Sequence, residues 1–201
     1  MHGRPLLFVG AALVLALIWF GQKRLQHRPF PPDTTPEGAY ARVAFDIAEG
    51  RPRETFAYLE TEAEWAAYTI RDMRKRACAL VRAHYPAAER ERLLAAWQAE
   101  GDAPDGADVY VLLATPRGWF ARLERDLSGV AHVEIQGERA TVVTARGTRY
   151  PFRRRDNGIW GLTGFTAELE AEAERAARDL EVVRRDTADY ARGGAVVERR
   201  P

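Results

Sequence analysis

Residues 130–165 read VAHVEIQGERATVVTARGTRYPFRRRDNGIWGLTGF, and the period of their apolar positions decides the fold. Four short runs alternate with period two: AHVEI (131–135), RATVVTA (139–145), TRYPFRR (148–154) and IWGLT (159–163). Between them lie QGE, RG and RDNG, short glycine-bearing breaks that reverse a chain into hairpins. Asn157 followed by Gly158 is the strongest such signal, because a type I′ turn needs positive φ at both central residues. The stretch therefore predicts a four-stranded antiparallel meander. Tyr150 and Phe152 share one face of its third strand, and Trp160 and Leu162 share one face of its fourth, which gives the sheet an apolar side for helices to cover. Pro151 lacks an N–H and is expected at an edge or bulge.

Upstream the period is helical. Tyr40, Val43, Ala44 and Ile47 mark a short helix ended by Gly50 and Pro52. Phe56, Leu59, Ala63, Ala66, Ile70, Met73, Ala77 and Leu80 continue at spacings of three and four until Tyr85 and Pro86, with a break near residues 60–62. A third helix is expected over 87–100, followed by the turn-rich loop GDAPDGAD (101–108). Val109 to Leu113 reads as a short strand or a helical turn, and Pro116 as the first position of a helix reaching about Leu127. Downstream of the meander, Leu169, Ala173, Ala176, Leu180, Val183, Thr187 and Tyr190 form a heptad-like seam on a long closing helix. Its small knobs suit packing against its own domain better than an extended coiled coil. The fold class expected is α+β: an N-terminal membrane helix, then several helices packed on a four-stranded antiparallel meander, with a long C-terminal helix. The domain occupies 37–191 and a disordered tail 192–201.

The membrane expectation rests on LLFVGAALVLALIWF, Leu6 to Phe20, an uncharged run preceded by Arg4 and followed by Lys23 and Arg24. As a helix it spans roughly 22 Å against a hydrocarbon core of roughly 30 Å. It ends in Ile18, Trp19 and Phe20, too bulky for the small-residue site of a cleaved signal, so residues 1–28 read as an uncleaved signal anchor. Residues 29–36, PFPPDTTP, form a Pro-rich linker. Lys23, Arg24 and Arg28 alone would keep the following domain inside. A short N-terminal apolar stretch more often works as an export signal, and the expectation taken is a single-pass cell-membrane protein with its C-terminal domain on the periplasmic side.

Composition narrows the chemistry. The chain has 201 residues, with 30 Lys plus Arg against 29 Asp plus Glu, and the net charge of +1 gives no long-range attraction for polyanions. Nucleic acid is accordingly not expected as a partner. The single cysteine, Cys78, excludes an intramolecular disulfide, a CxxC pair and a cysteine zinc cage, and reads as a small buried hydrophobe. No GxSxG, HExxH, P-loop or dinucleotide fingerprint occurs, so no catalytic residue, metal or cofactor is assigned. Of the four histidines, His2 and His27 flank the apolar segment, His84 reads as a helix-end cap, and His132 as a solvent-facing strand residue. Asp46, between Phe45 and Ile47, is the first carboxylate to test as a base, although a solvated helix face is its plainer reading. The concentrated charge feature is Arg146, Arg149, Arg153, Arg154 and Arg155, a candidate cationic surface for anionic lipid or an acidic partner. Its plainer reading is charge protecting strand edges.

Helices followed by a meander with GERATVV and RYPFRRRDNGIWGLT resembles, over residues 37–165, the small cone-shaped domains related to nuclear transport factor 2 and the cystatin-like fold. The positions that carry the likeness, Val133, Gly137, Ala140, Val142, Phe152, Gly158, Trp160 and Leu162, are core and turn residues, and the long closing helix departs from the common pattern. The resemblance implies either an isomerase or dehydratase with an Asp and a Tyr or His in the cone, or a non-catalytic domain that binds ligands or proteins. Fold alone does not choose between them. The leading expectation is a membrane-anchored, non-enzymatic accessory domain that binds a protein or small ligand. The alternatives are the cone-type isomerase or dehydratase and the arginine hairpin docked on lipid or an acidic partner.

Overall fold

The computed structural model describes residues 30–197, with side chains through residue 190. The folded unit begins at Pro32. Helix α1 spans Pro36–Ala48: Thr35 accepts the Gly38 N–H at 3.2 Å and Pro36 occupies the first turn, two signals that start a helix where the Pro-rich stretch ends. A 3₁₀ helix, Pro52–Tyr58, then turns the chain into α2, Thr61–His84. The break expected near residues 60–62 is real, because Leu59 and Glu60 are extended and Leu59 bridges the sheet at Leu162. Helices α3, Ala87–Gly101, α4, Gly106–Ala114, and α5, Trp119–Arg125, follow. Residues 109–113 thus belong to a helix, capped by Asp105 accepting the Asp108 N–H at 3.0 Å. The helix expected from Pro116 starts only at Trp119, after Gly118 has turned the chain at φ +66°.

The sheet is the expected antiparallel meander in the order β1-β2-β3-β4, with β1 Val130–Gln136, β2 Arg139–Thr144, β3 Arg149–Arg154 and β4 Trp160–Leu162. Ala140, Val142, Tyr150, Phe152, Trp160 and Leu162 are buried on its inner face with Tyr40, Val43, Trp119 and Phe165. Two local expectations need correction. The β3–β4 turn closes with the Gly158 N–H on the Arg155 carbonyl at 2.8 Å, and Gly158 (φ +83°) takes positive φ while Asn157 does not, so it is not type I′. Asn157 instead accepts the Ile159 N–H on its side chain at 3.0 Å. Pro151 lies in β3, an interior strand. Its carbonyl accepts the Thr163 N–H at 3.0 Å, so its nitrogen faces the same side, just beyond the point where β4 ends at Leu162, and no ladder bond is lost.

Helix α6 spans Thr166–Val197, six residues beyond the expected end, and residues 198–201 lie outside the described residues. Its seam residues Leu169, Ala176, Leu180 and Val183 are buried, as the heptad-like spacing requires. The partners rise together in number: Glu60 with Thr166, Arg74 with Asp179, Tyr85 with Asp186. Helices α2 and α6 therefore run side by side and parallel. Arg74, nearly buried, joins three helices by pairing with Glu100 at 3.1 Å and Asp179 at 2.6 Å while lying over the Trp97 ring.

The membrane reading is corrected. Among the described residues no helix is long and apolar enough to cross a membrane. Leu6 to Phe20, the basis of the transmembrane, signal-anchor, single-pass and periplasmic expectations, lies outside those residues. That placement is not carried into the functional reading.

Candidate functional site

Parallel packing of α2 and α6 brings their two N-termini to one end of the molecule, beside the outer face of the sheet. Glu60 sits at that junction. It is held there because its N–H donates to the Leu162 carbonyl at 3.2 Å, extending the sheet by one bridge before α2 begins. Its buried carboxylate accepts the Thr166 hydroxyl at the start of α6 and stands 3.9 Å from the Arg153 guanidinium. A carboxylate at two helix starts is favoured by the partial positive charge of unpaired N–H groups.

Three adjoining hollows open from this point. One, of about 460 Å³, lies over the outer sheet face between Arg139, Thr141, Pro151, Arg153, Thr163, Thr166 and Glu170. A smaller one, of about 130 Å³, runs past Glu138, Arg154 and Asp156 toward Trp65. The third, of about 390 Å³, lies between α2 and α6 and is lined by Glu62, Trp65, Ala66, Thr69, Glu170, Ala173 and Glu174. Glu62 borders all three, which makes them one groove with a polar, hydroxyl-rich end and an aromatic, acidic end. Trp65 is 67% exposed, the most open large apolar side chain among the described residues. Glu170 makes no ion pair among the described residues, whereas Glu62 and Glu174 face Arg153 at 2.9 Å and Arg178 at 3.4 Å.

Arg153, Arg154 and Arg155 of the arginine cluster read from sequence border the same groove, Arg146 and Arg149 do not, and the cluster's electrostatics differ from a free cationic surface. Arg149 and Arg153 do point outward from β3 while Tyr150 and Phe152 are buried. Arg149 makes two hydrogen bonds to Glu134, at 3.1 and 2.5 Å, and this pairing holds the Glu134 carboxyl below its ordinary range. Arg155 makes two to Glu64, at 2.8 and 2.7 Å, and its guanidinium also reaches the carbonyls of Ala57 and Leu59, clamping the junction that carries Glu60. Burial pushes the Glu64 carboxyl up, with Arg155 opposing. Arg146 donates to the Arg125 carbonyl at 2.7 Å. Arg154 alone of the five has a side chain with no hydrogen bond or ion pair among the described residues. Of the five, Arg153 and Arg155 fix the groove wall through Glu62 and Glu64, while Arg146 and Arg149 bind elsewhere.

The other residues singled out in the sequence lie apart from the groove. Asp46 is buried at the end of α1, its carboxyl raised by burial, and is taken by Arg51 at 2.8 Å. His84 is exposed at the end of α2. His132 is exposed on β1, 3.4 Å from Glu134. Cys78 is fully buried in α2, and burial raises its thiol, which suits an inert hydrophobe. Among the described residues no three His, Cys, Asp or Glu side chains come together as metal ligands would. Sequence reasoning missed Trp65 and Glu60. A signal for Trp65 was present: with Ala63, Ala66 and Ile70 defining the buried stripe of α2, Trp65 and Tyr68 fall on the face that should be polar. Glu60 carried no such signal, because its burial comes from the Leu59–Leu162 bridge.

A second cleft, of about 200 Å³, lies between α5 and the β2–β3 turn, bordered by Arg122, Leu123, Asp126, Thr148, Tyr150, Leu162 and Phe165. Among the described residues the buried Tyr150 hydroxyl has no hydrogen-bond partner, and burial, with the nearby Tyr40 and Asp126, pushes its pKa up to about 12. No family model, curated protein or solved structure matches the chain.

Proposed function

We propose that this chain is a non-catalytic binding domain whose groove between α2 and α6 receives a cationic segment of a partner protein. The observation that carries the reading is Trp65, exposed at 67% in a hollow whose charged lining residues are Glu62, Glu170 and Glu174. On the side between α2 and α6 the indole is flanked by carboxylates and no base, with Arg153, Arg154 and Arg155 lining only the smaller hollow on its other side, and this suits an arginine or lysine side chain through cation–π attraction and charge pairing together. The neighbouring hydroxyl-rich hollow offers Thr141, Thr163 and Thr166 to the backbone of an extended peptide. The helices-then-meander order keeps a cone-like architecture as part of this proposal.

The isomerase or dehydratase reading draws less support. The inner face of the sheet is filled by side chains, and Asp46, its first candidate base, is occupied by Arg51. The lipid-docking reading meets arginines already paired with Glu134, Glu62 and Glu64.

Titration with an octapeptide alternating arginine and glycine, followed by tryptophan fluorescence, tests the proposal. Saturable binding is expected, absent for the glutamate counterpart. Trp65→Ala should weaken it by about 1–2 kcal/mol, roughly five- to thirtyfold, and Glu170→Lys should weaken it further at low salt. Equal response to both peptides, or indifference to Trp65→Ala, overturns it.

A further inference from the structure

The two edges of the sheet are treated differently. The β4 edge is closed, since the Glu60 N–H donates to the Leu162 carbonyl and Leu59 bridges the same residue. Among the described residues no strand pairs with the β1 edge. β1 is seven residues long and exposed at every position except the half-buried Val133, and Ile135 is 57% exposed. It contains no lysine and no proline, and its one irregularity lies at its start, between Val130 and His132. Natural sheets normally blunt such an edge with charge, proline, bulges or a covering element. From His132 to Gln136 there is no proline, bulge or covering strand among the described residues, and the one full charge, Glu134, is taken by Arg149 on the outer face.

The hairpin geometry says which groups face outward. Gln136 pairs with Arg139 across Gly137 and Glu138, with Gly137 at φ +60° and no positive φ at Glu138, a two-residue II′-type turn. In such a hairpin the closing pair exchanges its backbone hydrogen bonds, so Gln136, Glu134 and His132 bond toward β2. Val133 and Ile135 therefore turn their N–H and C=O groups outward, away from β2.

We infer that the β1 edge is the interface of a homodimer, formed by two β1 strands pairing antiparallel about a two-fold axis at Val133. In that register Val133 meets its own copy, Ala131 meets Ile135, and His132 meets Glu134, twice by symmetry. The register one step to either side sets His132 against His132 or Glu134 against Glu134 and is disfavoured by like charge or a lost pair. The match of the His132 imidazole with the Glu134 carboxylate thus selects both the occupant, a second copy of this chain, and the register. On the outer face His132 and Glu134 of each copy, with Arg149 already bound to Glu134 at 2.5 Å, become one continuous row of polar contacts. On the other face Ile135 is covered by Ala131 of the other copy, and the two meanders become one eight-stranded sheet. An isologous contact of this kind closes on itself and leaves no open edge.

Charge exchange in the full chain tests the proposal. Wild type should show a concentration-dependent monomer–dimer equilibrium in sedimentation experiments. His132→Glu sets the introduced carboxylate against Glu134 in a homodimer, and Glu134→Lys sets the introduced ammonium against His132, so each should weaken self-association about tenfold or more while circular dichroism stays unchanged. In an equimolar mixture the two variants form a heterodimer in which the introduced carboxylate of one faces the introduced ammonium of the other. The second contact of that heterodimer keeps the native pair of His132 with Glu134, so the mixture should restore the dimer to near wild-type strength. A wild type monomeric to hundreds of micromolar, variants that dimerise undiminished, or a mixture that stays monomeric would each overturn the inference.

Discussion

Tyr150 packs its ring against Tyr40, with centroids 5.2 Å apart, and its hydroxyl is enclosed without a partner among the described residues. An unmet hydroxyl in a protein interior costs roughly 1–3 kcal/mol, because it has lost its water and gained nothing. Tyr150→Phe removes the oxygen and leaves the ring packing intact. It is expected to raise the free energy of unfolding by about 1–2 kcal/mol in urea denaturation. A loss of stability instead would show that the hydroxyl has a partner in solution. Tyr110 is a contrasting case in the same core, since its hydroxyl meets that of Thr55 at 3.3 Å. Single residues also show where sequence reading stops. The alternation of Tyr150 and Phe152 against Arg149 and Arg153 foretold which point inward. It did not foretell that Glu134 and Glu62 would take up the arginines, because those partners come from another strand of the sheet and from a helix far earlier in the chain.

Among the elements, the groove depends on how closely Leu59 and Glu60 approach β4. A Cβ added to Gly161 would stand 2.6 Å from the Glu60 Cα and the Leu59 carbonyl, both backbone atoms that cannot swing aside. Gly161→Ala should therefore force the junction of the 3₁₀ helix and α2 away from the sheet, costing about 1–3 kcal/mol. Gly164→Ala is the matched control: its nearest neighbour would be a Leu162 methyl at 3.9 Å, and its effect should stay within about 0.5 kcal/mol. Equal losses for both would mean that the close approach at Gly161 does not set the cost. Element identity was largely legible, since α1, α2, α3, the meander and α6 all stand where their periods placed them. The exceptions have local causes. Residues 109–113 are too short a run for periodicity to separate strand from helix, and the Asp105 cap decided the matter. The β3–β4 turn met its hydrogen-bonding need through the Asn157 side chain, so Asn157 did not have to take positive φ.

For the molecule as a whole, burial raises the pKa of Tyr40, Tyr58, Tyr85, Tyr110 and Tyr150, with Tyr110 and Tyr150 reaching about 12 against the ordinary 10. These phenols hold their protons more tightly folded than unfolded, so the stability they contribute is complete below pH 10 and lost as pH rises toward about 12. The denaturation midpoint should be insensitive to these groups at neutral pH and fall steeply through that window, with phenolate absorbance lagging in the native state; a midpoint unchanged across it would contradict the burial of the tyrosines. Contiguous residues were enough to set the list of elements and the apolar face of each, because periods of two and of three to four are local properties of a chain. The parallel pairing of α2 with α6, the burial of Glu60, the groove around Trp65 and the difference between the two sheet edges arise only in the folded molecule. Each of these joins segments far apart in the chain, and their positions follow from how the whole apolar surface packs.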